Sequence, residues 1–174
     1  MKYGLKVDPG RLAEPAWVEL YGPPERFFER LRAFGLDFVE LEWAPQRPIE
    51  TLVAVGRMAI TAGLFCSMHP YLHGDLAPEA FGAAPPPGLD EPLAAGEELA
   101  GLSGVETAMV FHGGLSGHEP HFATPTDAVA GAQRFFAYLD AATAARFRRV
   151  RVVCETQMPR FPAEEGNWER VGDT

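Results

Sequence analysis

A strand that ends on an acid constrains this chain more than any other feature in it. From Arg148 to Gln157 the sequence reads RRVRVVCETQ, a β-branched run too short for a helix, with Glu155 standing where the apolar pattern stops. Side chains alternate along a strand, so Val150, Val152 and Cys154 share one face while Arg151, Val153 and Glu155 share the other. The first face is wholly apolar and calls for a helix over it. The second delivers a carboxylate at the carboxyl end of the strand, where α/β barrels build their sites.

The same rhythm runs through the rest of the chain. Tyr3 to Val7 reads as a short strand, and Pro23 and Pro24 open a helix that Gly35 stops. Asp37 to Trp43 (DFVELEW) is the next strand, with Val39, Leu41 and Trp43 on one face and Phe38, Glu40 and Glu42 on the other. A helix from Pro48 to Ala62 ends at Gly63, and Leu64 to Met68 forms a third strand running into HPYLHGD. Beyond a proline-rich loop at residues 84 to 88, a helix is predicted from about Glu91 to Leu102 and a fourth strand from Thr107 to Phe111, running into HGGLSGHEPH. Thr126 caps an alanine-rich helix that reaches about Phe147. Repeated βα units mean parallel strands joined by right-handed crossovers, hence an α/β fold.

Five such units fit either an open doubly wound sheet or part of an eight-stranded barrel. Strands of a doubly wound sheet are covered on both sides and are apolar all round. Here one face carries Lys6, Glu40, Glu42, Ser67, His69, His112 and Glu155, concentrated toward the carboxyl ends. That favours a partial (β/α)8 TIM barrel of about five parallel βα units. The fingerprint glycines of a dinucleotide site are missing after the first strand, where VDPGRL stands, and there is no GxxxxGK[ST] loop. NAD and ATP are therefore not expected as cofactors.

Composition narrows the remaining classes. With 174 residues, 47% of them hydrophobic, the chain can bury one good core, and residues 1–174 read as a single domain. No apolar run approaches the roughly 20 residues of a membrane span, and the start MKYGLKVDPG has no signal-peptide core, so a cytoplasmic location is expected. Cys66 and Cys154 both fall inside strands and are expected to be reduced core thiols. A net charge of −9 opposes attraction to a phosphate backbone, so nucleic acid is not the expected partner.

The chemistry rests on three strand ends: His69 after FCSM, His112 after AMVF and Glu155 after RVVC. Neighbouring barrel strands lie roughly 5 Å apart, so inward side chains from three consecutive strands can converge on one ion. Histidine and carboxylate suit zinc, manganese or a related divalent metal. Glu40 and Glu42 face inward on the second strand, either as a rim ion pair with Lys6 or as groups that meet substrate. A small polyol asks for inward polar groups and apolar walls, which Lys6, Glu40, Glu42, Trp43, Phe65 and Trp168 supply. His73, in a loop, is placed with this substrate set, whereas His118 and His121 are read as solvated.

At these residues the sequence resembles the xylose isomerase-like TIM barrels, which include sugar phosphate isomerases and epimerases and type-2 AP endonucleases. The resemblance is carried by LRAFGLDFVELEW, HPYLHGDLAP, VFHGG and VCETQ, with NWERVGDT similar to the segment that leads into a sixth unit. In the endonuclease branch it implies that His69, His112 and Glu155 are zinc ligands. In the isomerase branch it implies that Glu155 is the first carboxylate of a divalent-metal site, that Glu40 lies on a strand whose acids line the sugar pocket, and that the histidines touch substrate.

The family has eight strands and takes further ligands from the last three, so the chain is expected to be a barrel truncated after its fifth strand. Its metal binding would be weak, and a second copy could cover the open sheet edges. The expected function is metal-dependent isomerisation or epimerisation of a sugar or sugar phosphate, with Glu155 and Glu40 as catalytic carboxylates. The alternatives are a zinc-dependent phosphodiesterase acting at abasic DNA and a non-catalytic module that retains the fold.

Overall fold

The five strands pair in the order in which they occur along the chain. In the computed structural model, which describes residues 2–12, 14–72, 76–112 and 125–155 (the side chains of 79 and 125–128 excepted), β1 (Gly4–Val7), β2 (Phe38–Trp43), β3 (Phe65–Pro70), β4 (Thr107–His112) and β5 (Val150–Glu155) form one parallel sheet of order β1-β2-β3-β4-β5. Sequential order separates a singly wound barrel sheet from a doubly wound one, whose strand order reverses partway. The fold is thus α/β, with five consecutive parallel strands in the sequential order of a barrel.

Helices α2 (Pro24–Ala33), α3 (Ile49–Thr61), α4 (Asp90–Ser103) and α5 (Pro125–Ala145) connect successive strands. The sheet residues Val39, Leu41, Trp43, Met68, Met109 and Phe111 are buried on the helix side, together with Phe28, Leu52, Leu99 and Phe135 from the helices. Those strand residues alternate with half-buried ones, so β2 reads intermediate, buried, intermediate, buried along its length. Apolar burial on one face therefore fixes the register, and a slip of one residue would turn Glu40 and Glu42 into the core.

The helix boundaries follow local chemistry. Gly35 and Gly63 lie at φ 88° and 83°, in the left-handed region where a side chain is strained, and each ends a helix shortly before a strand resumes. After Gly63 the Leu64 N–H returns to the Ala59 carbonyl at 3.0 Å, aiming the chain into β3. Two short elements were not expected: α1 (Pro15–Tyr21) and a 3-10 turn at Pro78–Ala80. The long helix α5 begins at Pro125, one residue before the predicted cap at Thr126. Strand β3 runs two residues beyond its predicted end and so carries His69 within it.

The cysteines diverge. Cys66 is buried in the core, where burial pushes its thiol up to about 12. Cys154 is exposed, which corrects the expectation of two core thiols: its parity points to the helix side, but no described residue covers it there. Among the described residues no helix is long and apolar enough to cross a membrane.

Candidate metal centre

On the face opposite the helices, the carboxyl ends of β3, β4 and β5 bring three donor atoms to one point. Nε2 of His69 lies 2.8 Å from Nε2 of His112. The Glu155 Oε2 atom stands 3.5 Å from the first ring and 3.3 Å from the second. Ligands about 2.0–2.1 Å from a tetrahedral zinc are separated from one another by about 3.3 Å. The triangle therefore has nearly the dimensions that an ion would impose, with the His69–His112 edge shorter because the two rings share a hydrogen bond. Two imidazoles and one carboxylate suit zinc or manganese by donor chemistry, and three protein donors leave room for water or substrate.

Register explains the convergence. Glu42 pairs with His69 across β2 and β3, and His112 pairs with Glu155 across β4 and β5, while the Met68–Met109 pair sets His112 two positions further toward the carboxyl end than His69, so the two histidines meet across a diagonal of the inward face. His69 is 2% exposed, the deepest member of the group. Its Nδ1 donates to Glu40 Oε1 at 3.0 Å, and its ring stacks on Tyr71 with centroids 5.1 Å apart and planes within 10°. Tyr71 also meets His112 edge-on at 5.3 Å. The hydrogen bond from His69 holds the Glu40 carboxyl below the usual carboxylate range, against partial burial, with the Lys6 charge helping.

Lys6 closes the β1 side of the mouth. Its Nζ lies 2.9 Å from Glu42 Oε1, 4.0 Å from Glu40 Oε1 and 3.5 Å from the Tyr71 hydroxyl. Partial burial works against this ammonium, but the Glu42 hydrogen bond and charge, together with Tyr71, outweigh it and raise the lysine pKa above its ordinary value. Lys6 is therefore charged at neutral pH. The ion pair with Glu42 is the rim pair considered from the sequence.

The structure thus brings together Lys6, Glu40, Glu42, His69, His112 and Glu155, and separates two residues from them. Trp43, expected in the substrate pocket, is only 3% exposed and lies on the helix side, where its Nε1 donates to the Arg47 carbonyl at 3.0 Å. The reason is parity: Trp43 belongs with Val39 and Leu41, and its size does not move it to the other face. Phe65 does lie on the inward face, but at the amino end of β3, under the Lys2 ammonium at 4.9 Å and four residues from His69. Glu40, expected as a catalytic carboxylate or as part of a rim ion pair with Lys6, accepts a hydrogen bond from the imidazole of His69. His73 and Trp168 lie outside the described residues. Tyr71 was missed, although carrying the inward parity two residues past His69 would have found it.

No family model and no curated protein matches the sequence. Among solved structures, the crystal structure of endonuclease IV from Thermus thermophilus is similar at a TM-score of 0.40 and 20% identity, over 96% of this chain and 54% of that one. The chain thus spans about half the length of that protein.

Proposed function

We propose that this chain carries the metal-binding end of a divalent-metal enzyme that interconverts a small sugar or sugar phosphate by moving a proton between neighbouring carbons. The observation that carries the reading is the meeting of two imidazole nitrogens and one carboxylate oxygen from three consecutive strand ends. His69 and His112 would hold the ion through Nε2 and Glu155 through Oε2. Bound there, a divalent ion polarises a substrate hydroxyl and carbonyl.

The chain's own groups supply the remainder. Lys6 and the Tyr71 hydroxyl, side by side at the mouth, donate hydrogen bonds to substrate oxygens. Glu155 directs one oxygen to the histidines, and the other oxygen of its carboxylate takes the proton from one carbon, exchanges it with solvent and delivers a proton to the neighbouring carbon, while the hydroxyl proton passes between the two substrate oxygens. Glu40 serves through His69. The acids Glu40, Glu42 and Glu155 outnumber Lys6 around this mouth, a field better matched to a small polyol than to a polyanionic duplex.

A second reading is hydrolysis of a phosphodiester by metal-activated water. It is favoured by the donor set itself, since two histidines and a glutamate recur in hydrolytic zinc sites, and by the engagement of Glu40 and Glu42 with His69 and Lys6. The two are separated by incubating the metal-reconstituted chain with aldoses, ketoses and their phosphates in deuterium oxide. Proton transfer leaves deuterium on the carbon beside the carbonyl. Absence of label from every sugar, with metal-dependent incision of abasic duplex DNA by the same preparation, would replace the first reading by the second.

A further inference from the structure

We propose that Glu40 is a positioning residue that fixes the tautomer of His69, so that the Nε2 lone pair of this buried ring is aimed at the point shared with His112 and Glu155. The proposal rests on the metal-site reading above, and it follows from counting protons. An ionised carboxylate only accepts hydrogen bonds, so the 3.0 Å contact between Glu40 Oε1 and His69 Nδ1 places the hydrogen on Nδ1. A neutral imidazole has one N–H, which leaves Nε2 bare. Across the 2.8 Å contact His112 must therefore be the donor through its Nε2–H, and His69 the acceptor. His69 is thus preset as a ligand, whereas His112 has to move its proton before it can bind an ion.

Neighbouring groups hold this arrangement. The ring of His69 is fixed against rotation by Tyr71 on its face and by burial, with its side chain only 3% exposed. Glu42, not Glu40, is the register partner of His69, yet Glu42 is taken by Lys6 at 2.9 Å while Lys6 stays 4.0 Å from Glu40. The lysine therefore sorts the two acids of β2, occupying one and leaving the other to the imidazole. Carboxylates behind ligating histidines set ring orientation and ligand basicity, and their loss typically weakens metal binding about 10–100-fold.

The test uses nitrogen-15 NMR of the histidine rings in the chelator-treated whole chain at about pH 8, above the ordinary histidine range, together with zinc affinity by competition against a chromophoric chelator. The wild type should show His69 protonated at Nδ1. Glu40→Ala should lose that single tautomer and bind zinc about 10–100-fold more weakly. A wild-type His69 carrying its proton on Nε2 overturns the proposal, and that arm decides it even if Glu40→Ala does not fold. A folded Glu40→Ala that keeps the Nδ1–H form and wild-type zinc affinity overturns it too. A wild type that shows the Nδ1–H tautomer but takes up no zinc refutes the metal reading and leaves the tautomer lock standing.

Discussion

Truncating Phe135 to alanine tests how the helix layer fixes the strand that carries His112. The Phe135 ring is fully buried on α5 and meets Phe111 of β4 edge-on at 5.4 Å and Phe81 at 5.7 Å. Phe111 is itself 1% exposed and immediately precedes His112. Deleting a fully buried ring removes its transfer free energy and leaves a cavity, which together cost about 3–5 kcal/mol. Against a total stability of about 5–15 kcal/mol this is a large fraction. In a chain of this size it lowers the melting temperature by roughly 6–20 °C. The adjacent Phe136 is only half-buried, so Phe136→Ala should cost clearly less. Urea unfolding followed by circular dichroism measures both. A loss under about 1 kcal/mol for Phe135→Ala, or equal losses for the two variants, would refute the packing argument.

Two further outcomes follow from the packing around α4 and β3. Asp90 on α4 is bound by Arg146 and Tyr138 of the α5 side, and although its partial burial works the other way, these hydrogen bonds and the Arg146 charge hold its carboxyl below the ordinary 3.8. A depressed carboxyl pKa adds stability that is full above the unfolded value and is lost as pH falls through the folded one. Asp90→Asn should therefore unfold at lower urea than wild type at neutral pH, and the difference should vanish toward about pH 2; a gap independent of pH contradicts the assignment. In thiol labelling of the native chain, Cys154 should react and Cys66 should not, because Cys66 is buried with its thiolate strongly disfavoured. Labelling of both at equal rates would contradict the core placement of Cys66.

The inward face is legible in the sequence because a strand's period of two is local information. Val39, Leu41 and Trp43 alternate with Glu40 and Glu42, and the same alternation on β3, β4 and β5 puts His69, His112 and Glu155 on one side. Strand order is inferred only indirectly, from polar residues where a doubly wound sheet would be apolar, because pairing between distant segments leaves no local mark. Helix α1 was missed for a physical reason: it has seven residues, too few to establish a helical period, and none of them is fully buried, Trp17 packing only partly against the core. Trp43 lies on the helix side with Val39 and Leu41, as its parity requires, and so cannot wall a pocket on the inward face. The exposure of Cys154 depends on what packs over β5, which no property of β5 itself determines. The partners chosen by Glu40 and Glu42 were also illegible, since Lys6 and His69 can share two neighbouring acids in several ways and only geometry selects one.

Calorimetric titration of zinc into the chelator-treated chain, alongside His112→Ala and Glu155→Ala, tests most directly whether the three strand ends form a metal site. The account predicts one weakly held, exchangeable ion per wild-type chain and at least a tenfold loss of affinity, about 1.4 kcal/mol, in each variant. Zinc binding of equal strength in all three proteins would place the ion elsewhere and contradict the account.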